Sequence, residues 1–374
     1  MNATAIRVRT RRWLDRFMAR PVLDLPLLLA IALLCAVGLT VLYSASGGQA
    51  GLVLNQAARL GLGLVLMLVL SRVPPAILRS WTPWLFAGSL ALLALVPFFG
   101  TGRSARLWID VGPFFLQPAE LVKLSLPMMV AWYLHDRVLP PGWGALAVCA
   151  SIIAVPTVLI VAQPDLGTGL LVAASGAFVV FLAGLSWPRI ALILGGGAAG
   201  AAFIGWPLLH DYQKDRLRMF LDPESDPLGA GWNIIQAEIA VGSGGLFGKG
   251  FGMSTQAKLD FLPEHTTDFI FAVFAEEFGL LGVVAVLALY AFIIGRALWI
   301  AASARDTWSR LLGGSLALTF FVYVMVNGGM ISGLLPVVGV PMPLISYGGT
   351  SAVTLLAGFG LLQSIHAHRR LVAT

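Results

Sequence analysis

Asp268 follows Thr266 and Thr267 and precedes an apolar run, and that run carries two more acids, Glu276 and Glu277. Charged side chains in a segment apolar enough to cross a bilayer cost on the order of 2.5 to 3.5 kcal/mol each at a helix centre, so they need a reason to be there. Two compatible readings fit Asp268. It is an N-cap that accepts N–H bonds from the first helical turn, or it is the general base of a reacting centre. Glu276 and Glu277 lie eight and nine residues on, roughly 12 to 13 Å along a helix axis, too far to share a proton with Asp268.

Other ionisable side chains interrupt apolar stretches. Glu120 and Lys123 stand at i, i+3, which suits an intrahelical ion pair or a cation presented to a phosphate with a carboxylate tuning it. Arg59 either snorkels or pairs with an acid. Just before the Glu120 stretch, Arg103, Arg106, Trp108 and Asp110 place two guanidiniums beside an aromatic that suits a membrane-belt anchor. Asp165, in Gln163-Pro164-Asp165-Leu166-Gly167-Thr168, is a second acid at a helix mouth, where a cap is again an alternative. The run from Gly242 to Gly250 is P-loop-like but has Ser243 and Gly250 where glycine and Ser/Thr belong. It reads as a flexible outer loop, with Lys249 available to an anion. Gly195, Gly196, Gly197 and Gly200 form a small-residue packing face. From Asn327 to Ser351, Pro336, Pro341 and Pro343 amid glycines suggest broken backbone lining a cavity, with a plain loop as the competing reading.

The elements that must position these residues follow from composition. Of 374 residues, 58% are hydrophobic and 11% charged, against about a quarter charged in soluble domains. The chain is expected to be an all-α polytopic membrane protein, one integral domain over 1–374. Apolar windows fall near 22–43, 52–71, 80–99, 118–134, 143–162, 168–185, 189–207, 269–299, 310–332 and 343–365, about ten transmembrane helices. A basic segment, 1–21, precedes them, and a large extracytoplasmic loop, 207–267, separates the seventh from the eighth. With a cytoplasmic N-terminus, the inner segments carry 15 Lys/Arg and the outer ones seven, as the positive-inside rule requires. The net charge of +6 is thus topological and calls for no nucleic acid. Cys35 and Cys149 fall inside spans and imply no disulfide. Eleven acids, Asp268 among them, face outward in this topology. That side has no ATP, so bond formation there needs a substrate that arrives activated, such as a lipid-linked pyrophosphate.

Four long motifs lie in order along the chain: Gln117-Pro118-Ala119-Glu120 with Lys123; Gln163 to Thr168; Phe261-Leu262-Pro263-Glu264 through Glu277; and Pro336-Val337-Val338-Gly339-Val340-Pro341 through Ser346-Tyr347-Gly348-Gly349. In them the chain resembles, over essentially its full length, the SEDS family of membrane peptidoglycan glycosyltransferases. The short tails and the ending Ile365-His366-Ala367-His368-Arg369 resemble its rod-shape-determining RodA branch more than the division branch, FtsW. The resemblance implies a ten-helix bundle in the cytoplasmic (inner) membrane, with both termini cytoplasmic, that binds lipid II at the outer face and joins its disaccharides by β-1,4 bonds. It implies a class B penicillin-binding protein, a transpeptidase, as partner. The family's essential aspartate falls on Asp268, its acid and lysine of the fourth span on Glu120 and Lys123, and its other important acid on Asp165. Ala119 replaces the family's usual serine, so no hydroxyl is required there, and Leu107 stands where many members have arginine before the tryptophan, with Arg106 one residue earlier.

Glycosyl transfer from a lipid pyrophosphate needs a base for the acceptor hydroxyl and positive charge for the leaving group. Asp268 is the expected base. Lys123, with Arg103, Arg106 or Lys258 as outer candidates, is expected to bind pyrophosphate, and Glu264, Thr267 and Ser346 complete the expected substrate-binding set. A divalent cation, magnesium or manganese, could assist, and no cluster of His, Cys and carboxylates marks a place for one. Two rivals account for part of the pattern: a lipid II flippase, and a non-enzymatic scaffold for the transpeptidase. A scaffold leaves Glu120, Lys123 and Asp268 without a purpose, and a flippase predicts an inverted repeat and acids at midplane.

Overall fold

The computed structural model describes residues 23–102, 107–110, 112, 115–200, 214, 231–259, 261–262 and 264–369. The basic N-terminal segment, Arg103, Arg106 and most of 207–230 lie outside these. The described residues are almost wholly helical. In chain order the helices are α1 (Leu25–Ala45), α2 (Ala50–Ser71), α3 (Pro75–Phe99), α4 (Pro118–Leu134), α5 (Trp143–Val161), α6 (Leu166–Leu182), α7 (Trp187–Gly200), α8 (Trp232–Ser243), α9 (Thr255–Lys258), α10 (Ile270–Ala302), α11 (Thr307–Ile331) and α12 (Gly349–Ala367). Seven are long and apolar enough to cross a membrane. α4, α6 and α7, of 17, 17 and 14 residues, occupy the other predicted spans. The starts follow ordinary rules: Asp24 and Asp306 accept from Leu27 N–H and Ser309 N–H, capping α1 and α11, and Pro75 and Pro118 take the first helical position, where no N–H is needed.

Cross-helix bonds define two ends. At one, the buried Asp24 receives three bonds from Arg296, and its backbone N–H and C=O pair with the Gln363 amide, tying α1, α10 and α12. At the other, Ser44 at the end of α1 meets Glu277 of α10, Gln117 before α4 meets Asp165 before α6, and Tyr347 N–H reaches Thr266 C=O. Between α3 and α4 at this end lies a small hairpin, β1 (Ile109–Asp110) with β2 (Phe115–Leu116), antiparallel, and a bridge from Thr101 to Trp108.

Three expectations change. The last span begins at Gly349, not 343: Pro341 and Pro343 supply no N–H, Leu344 has φ 62°, and the Met342 N–H goes to the Ser346 hydroxyl instead of a helical carbonyl. The span 269–299 is not one helix. At Gly279 the backbone takes φ 63°, ψ −166°, a region essentially closed to other residues. The segment 270–278 is a short helix, nearly all of it buried, and 280–302 is the crossing helix, about 34 Å long and enough for a ~30 Å hydrocarbon core.

The third change concerns the glycine-rich run, which is stitched into that break. In an unbroken helix the carbonyls of Glu276 and Glu277 would accept from Leu280 and Leu281. Here they accept from Lys249 and Gly250 N–H, while Leu280 and Leu281 N–H donate to the carbonyls of Gly245 and Leu246. These four backbone groups are thereby satisfied, as burial demands. Close approach is what requires glycine, since a Cβ on Gly248 would run into the Glu277 carbonyl. Lys249 is turned inward: its Nζ lies 2.6 Å from Glu276 Oε1.

Candidate active site

Glu276, fully buried, also accepts from the Ser254 hydroxyl at 2.5 Å, the Thr255 hydroxyl at 2.6 Å and the Thr255 N–H at 3.0 Å. Glu277 accepts from the Ser44 hydroxyl at 2.5 Å. These two acids therefore hold the broken helix to its stitch and to α1. Their carboxylates are structural.

Asp268, immediately upstream, lies elsewhere. The cap position of α10 is Phe269, one residue beyond it, and Asp268 and Thr267 line a cavity of about 390 Å³ at the same end of the bundle. The cavity is bounded by Glu120 and Lys123 on α4, the first turn of α6 from Asp165, the loop Pro336 to Pro341, and the lead into α12 from Tyr347 to Ser351. Leu107 and Trp108 of the hairpin line it too, so the tryptophan faces the cavity rather than serving as a belt anchor.

On the α4 wall, Lys123 Nζ lies 2.7 Å from Glu120 Oε1, and both residues are buried. Lys123 also sits 5.3 Å from the centre of the Tyr323 ring, a cation–π distance. The predicted pair exists, and it also lines the cavity. Asp165 caps α6 through Thr168 N–H and receives the Gln117 amide at 3.3 Å; here too cap and cavity residue are one. The proline-rich segment is broken backbone lining a cavity, as one reading of the sequence held. Within it Gly339, at φ 73°, is close enough that a Cβ there would lie 3.6 Å from Asp268 Oδ2.

Other expected residues are not gathered in. Lys258 is exposed at the end of α9. Glu264 is exposed, at φ 56°, and accepts from the Thr267 hydroxyl at 2.7 Å. Ser346 is buried, its hydroxyl accepting from Met342 N–H and its carbonyl from the Gln56 amide. None of the three lines the cavity, and Arg103 and Arg106 lie outside the described residues. Arg59 stacks on the Tyr347 ring at 4.9 Å.

The structure adds Gln117, Tyr323, Tyr347 and Gly339 to the site, and behind it the buried Asn327. An asparagine within an apolar span was the available signal for the last; the others owe their places to the tertiary fold. Among the described residues no three His, Cys, Asp or Glu side chains gather as metal ligands do. What the cavity offers is a carboxylate able to take a proton, a lysine able to face a phosphate, and enclosure between them.

Comparison with known proteins places this geometry. The sequence profile of the FtsW, RodA and SpoVE family, described as cell cycle proteins, matches residues 25–371. The chain is 48% identical over 352 residues to peptidoglycan glycosyltransferase MrdB of Escherichia coli K12, covering 94% of this chain and 95% of that one. It is 36% identical over 363 residues to a probable peptidoglycan glycosyltransferase FtsW of Trichlorobacter lovleyi, covering 93% and 94%. The fold superposes on the crystal structure of the Thermus thermophilus rod shape determining protein RodA with a TM-score of 0.71 at 32% identity, covering 93% and 98%. It also superposes on a chain from a peptidoglycan synthase complex, described as coordinating polymerization and crosslinking, with a TM-score of 0.81 at 34% identity, covering 94% and 99%.

Proposed function

Because the chain belongs to the FtsW, RodA and SpoVE family, we infer that it is a peptidoglycan glycosyltransferase that polymerises lipid II into β-1,4-linked glycan strands for elongation and rod shape. The observation that carries this reading is the 48% identity, over nearly the whole of both chains, to a peptidoglycan glycosyltransferase. The cavity supplies a mechanism. Asp268 takes the proton of the acceptor hydroxyl, whose oxygen bonds to the anomeric carbon of the donor sugar. The bond from that carbon to the polyprenyl pyrophosphate breaks, its electron pair leaves with the pyrophosphate, and Lys123 offsets the charge. Glu120 balances the charge of the buried Lys123, and Asp165 with Gln117 lines the wall beside them.

In the same reading the site faces outward from the inner membrane and both termini are cytoplasmic, supported by the 15 to seven Lys/Arg asymmetry. The partner is a class B penicillin-binding protein, supported by the likeness to a synthase complex that joins polymerization to crosslinking. The test is incubation of the purified protein with lipid II, with and without the transpeptidase, and gel analysis of glycan. Polymer is expected, and Asp268→Asn should form it at least ~100-fold more slowly while still binding lipid II. No polymer under any condition, with lipid II crossing liposome bilayers instead, would make the flippase the correct account. Orientation is tested separately in a background lacking Cys35 and Cys149. Cysteine replacing the exposed Lys258 should label with an impermeant maleimide, and cysteine replacing the exposed Arg305 should not.

A further inference from the structure

We propose that Asn327 is a positioning residue of glycosyl transfer, its carboxamide clamping the Asp268 backbone to the Gly339–Val340 loop so that the base faces the cavity; this rests on the reading of Asp268 as base. Asn327 lies in the last third of α11 and is fully buried. Its Nδ2 donates 2.8 Å to the carbonyl of Asp268 and 2.8 Å to the carbonyl of Val340. Both partners are acceptors, so the amide can be oriented only one way. The two carbonyls come from different segments, 59 and 13 residues away in sequence, and both segments bound the same cavity.

Val340 is followed by Pro341, in a segment where Pro336, Pro341 and Pro343 have no N–H to donate. Asn327 satisfies both carbonyls at a cost to itself, since its own Oδ1 is buried with no partner among the described residues. An orphaned buried acceptor is destabilising, so the side chain gives up a hydrogen bond of its own while holding two backbone segments in register.

Asn327→Leu keeps most of the volume and removes both donors. A shift of about 1 Å at a reacting group can cost on the order of 100-fold in rate, so kcat for polymerisation should fall roughly 10- to 100-fold. KM for lipid II should stay within about 2-fold, because the clamp does not touch Lys123, while the melting temperature in detergent should fall modestly as the two carbonyls lose their donor. The decisive comparison places Asn327→Leu in the Asp268→Asn background. If Asn327 acts through Asp268, the double variant polymerises no more slowly than Asp268→Asn alone. Multiplying losses, or an Asn327→Leu protein with a native kcat, overturn the proposal. If Asn327→Leu does not fold, Asn327→Ser, which keeps one donor, takes its place with an intermediate kcat expected, and a native kcat there also overturns it. Native activity of Asp268→Asn itself sinks the base assignment, an outcome distinct from independence of the two sites.

Discussion

The charge of the buried Lys123 is balanced by Glu120, 2.7 Å away, and this changes how its role must be tested. Lys123→Met alone would leave a buried carboxylate without its cation, and breaking such a pair typically costs about 3 to 5 kcal/mol, so lost activity would report misfolding as readily as chemistry. Paired with Glu120→Gln, the substitution exchanges two charges for two neutral groups of similar size. The double variant should melt near the native temperature, bind lipid II more weakly and polymerise roughly 100-fold more slowly or worse; a native rate would reduce the pair to a bundle contact. These residues were legible in the sequence because charge inside an apolar run demands a reason. Asp268, Asp165, Glu120 and Lys123 all line the cavity. Tyr323 was not legible, because aromatic residues are common in spans, and Asn327 stood out only as an amide in an apolar span, its partners being backbone carbonyls fixed by tertiary structure. Ser346 misled for the converse reason, a motif position whose hydroxyl serves the backbone of its own turn.

Among the elements, α10 shows most plainly where sequence reasoning stops. Past Glu276 and Glu277 its apolar run continues from 278 through 295, so nothing in the pattern at Gly279 itself announces a break, and Gly279 is one glycine among 42. The break depends on the run from Gly244 to Gly250, whose backbone completes the opened ladder; without the pairing, that run looks only like a flexible, P-loop-like stretch. Its purpose follows from the geometry. It lets the segment that follows Asp268 lie buried against the bundle at an angle the crossing helix could not provide, with Lys249 and Ser44 neutralising or bonding the two acids at the joint. Gly279→Ala tests this. The residue holds φ 63°, ψ −166°, and an added Cβ there would also meet the Gly248 N and the Leu246 carbonyl. Strain of order 1 to 3 kcal/mol from the backbone alone, with the clash added, should lower the melting temperature clearly and abolish polymerisation together with it. An alanine variant as stable as the native protein would mean that α10 can run straight through.

At the scale of the whole molecule the two ends divide the work, the cavity at one and a structural knot at the other, with the crossing helices between. Each of the ten predicted spans overlaps a helix among the described residues because length and hydrophobicity suffice to locate a crossing; their mutual packing, and hence which residues meet at either end, is not encoded in any local pattern. The knot is an instance. Asp24 caps α1, receives Arg296 from α10 and pairs its backbone with Gln363 of α12, and no sequence feature linked these three. Burial alone would raise the Asp24 pKa, but the Arg296 guanidinium, the Leu27 N–H and the nearby His366 outweigh it and hold the carboxyl below its ordinary value. A carboxyl depressed in the folded state contributes stability that is fully present above its unfolded pKa, about 3.9, and is lost as pH falls toward the folded value. Melts in detergent should therefore show the native protein more stable than Asp24→Asn at pH 7 and at pH 5, with the gap narrowing below about pH 4 as Asp24 takes up its proton. Other carboxylates titrate in both proteins and cancel in the difference. The absence of any gap at pH 7 and pH 5 would show that Asp24 holds α1, α10 and α12 together through hydrogen bonds that a neutral amide reproduces, and not through its charge.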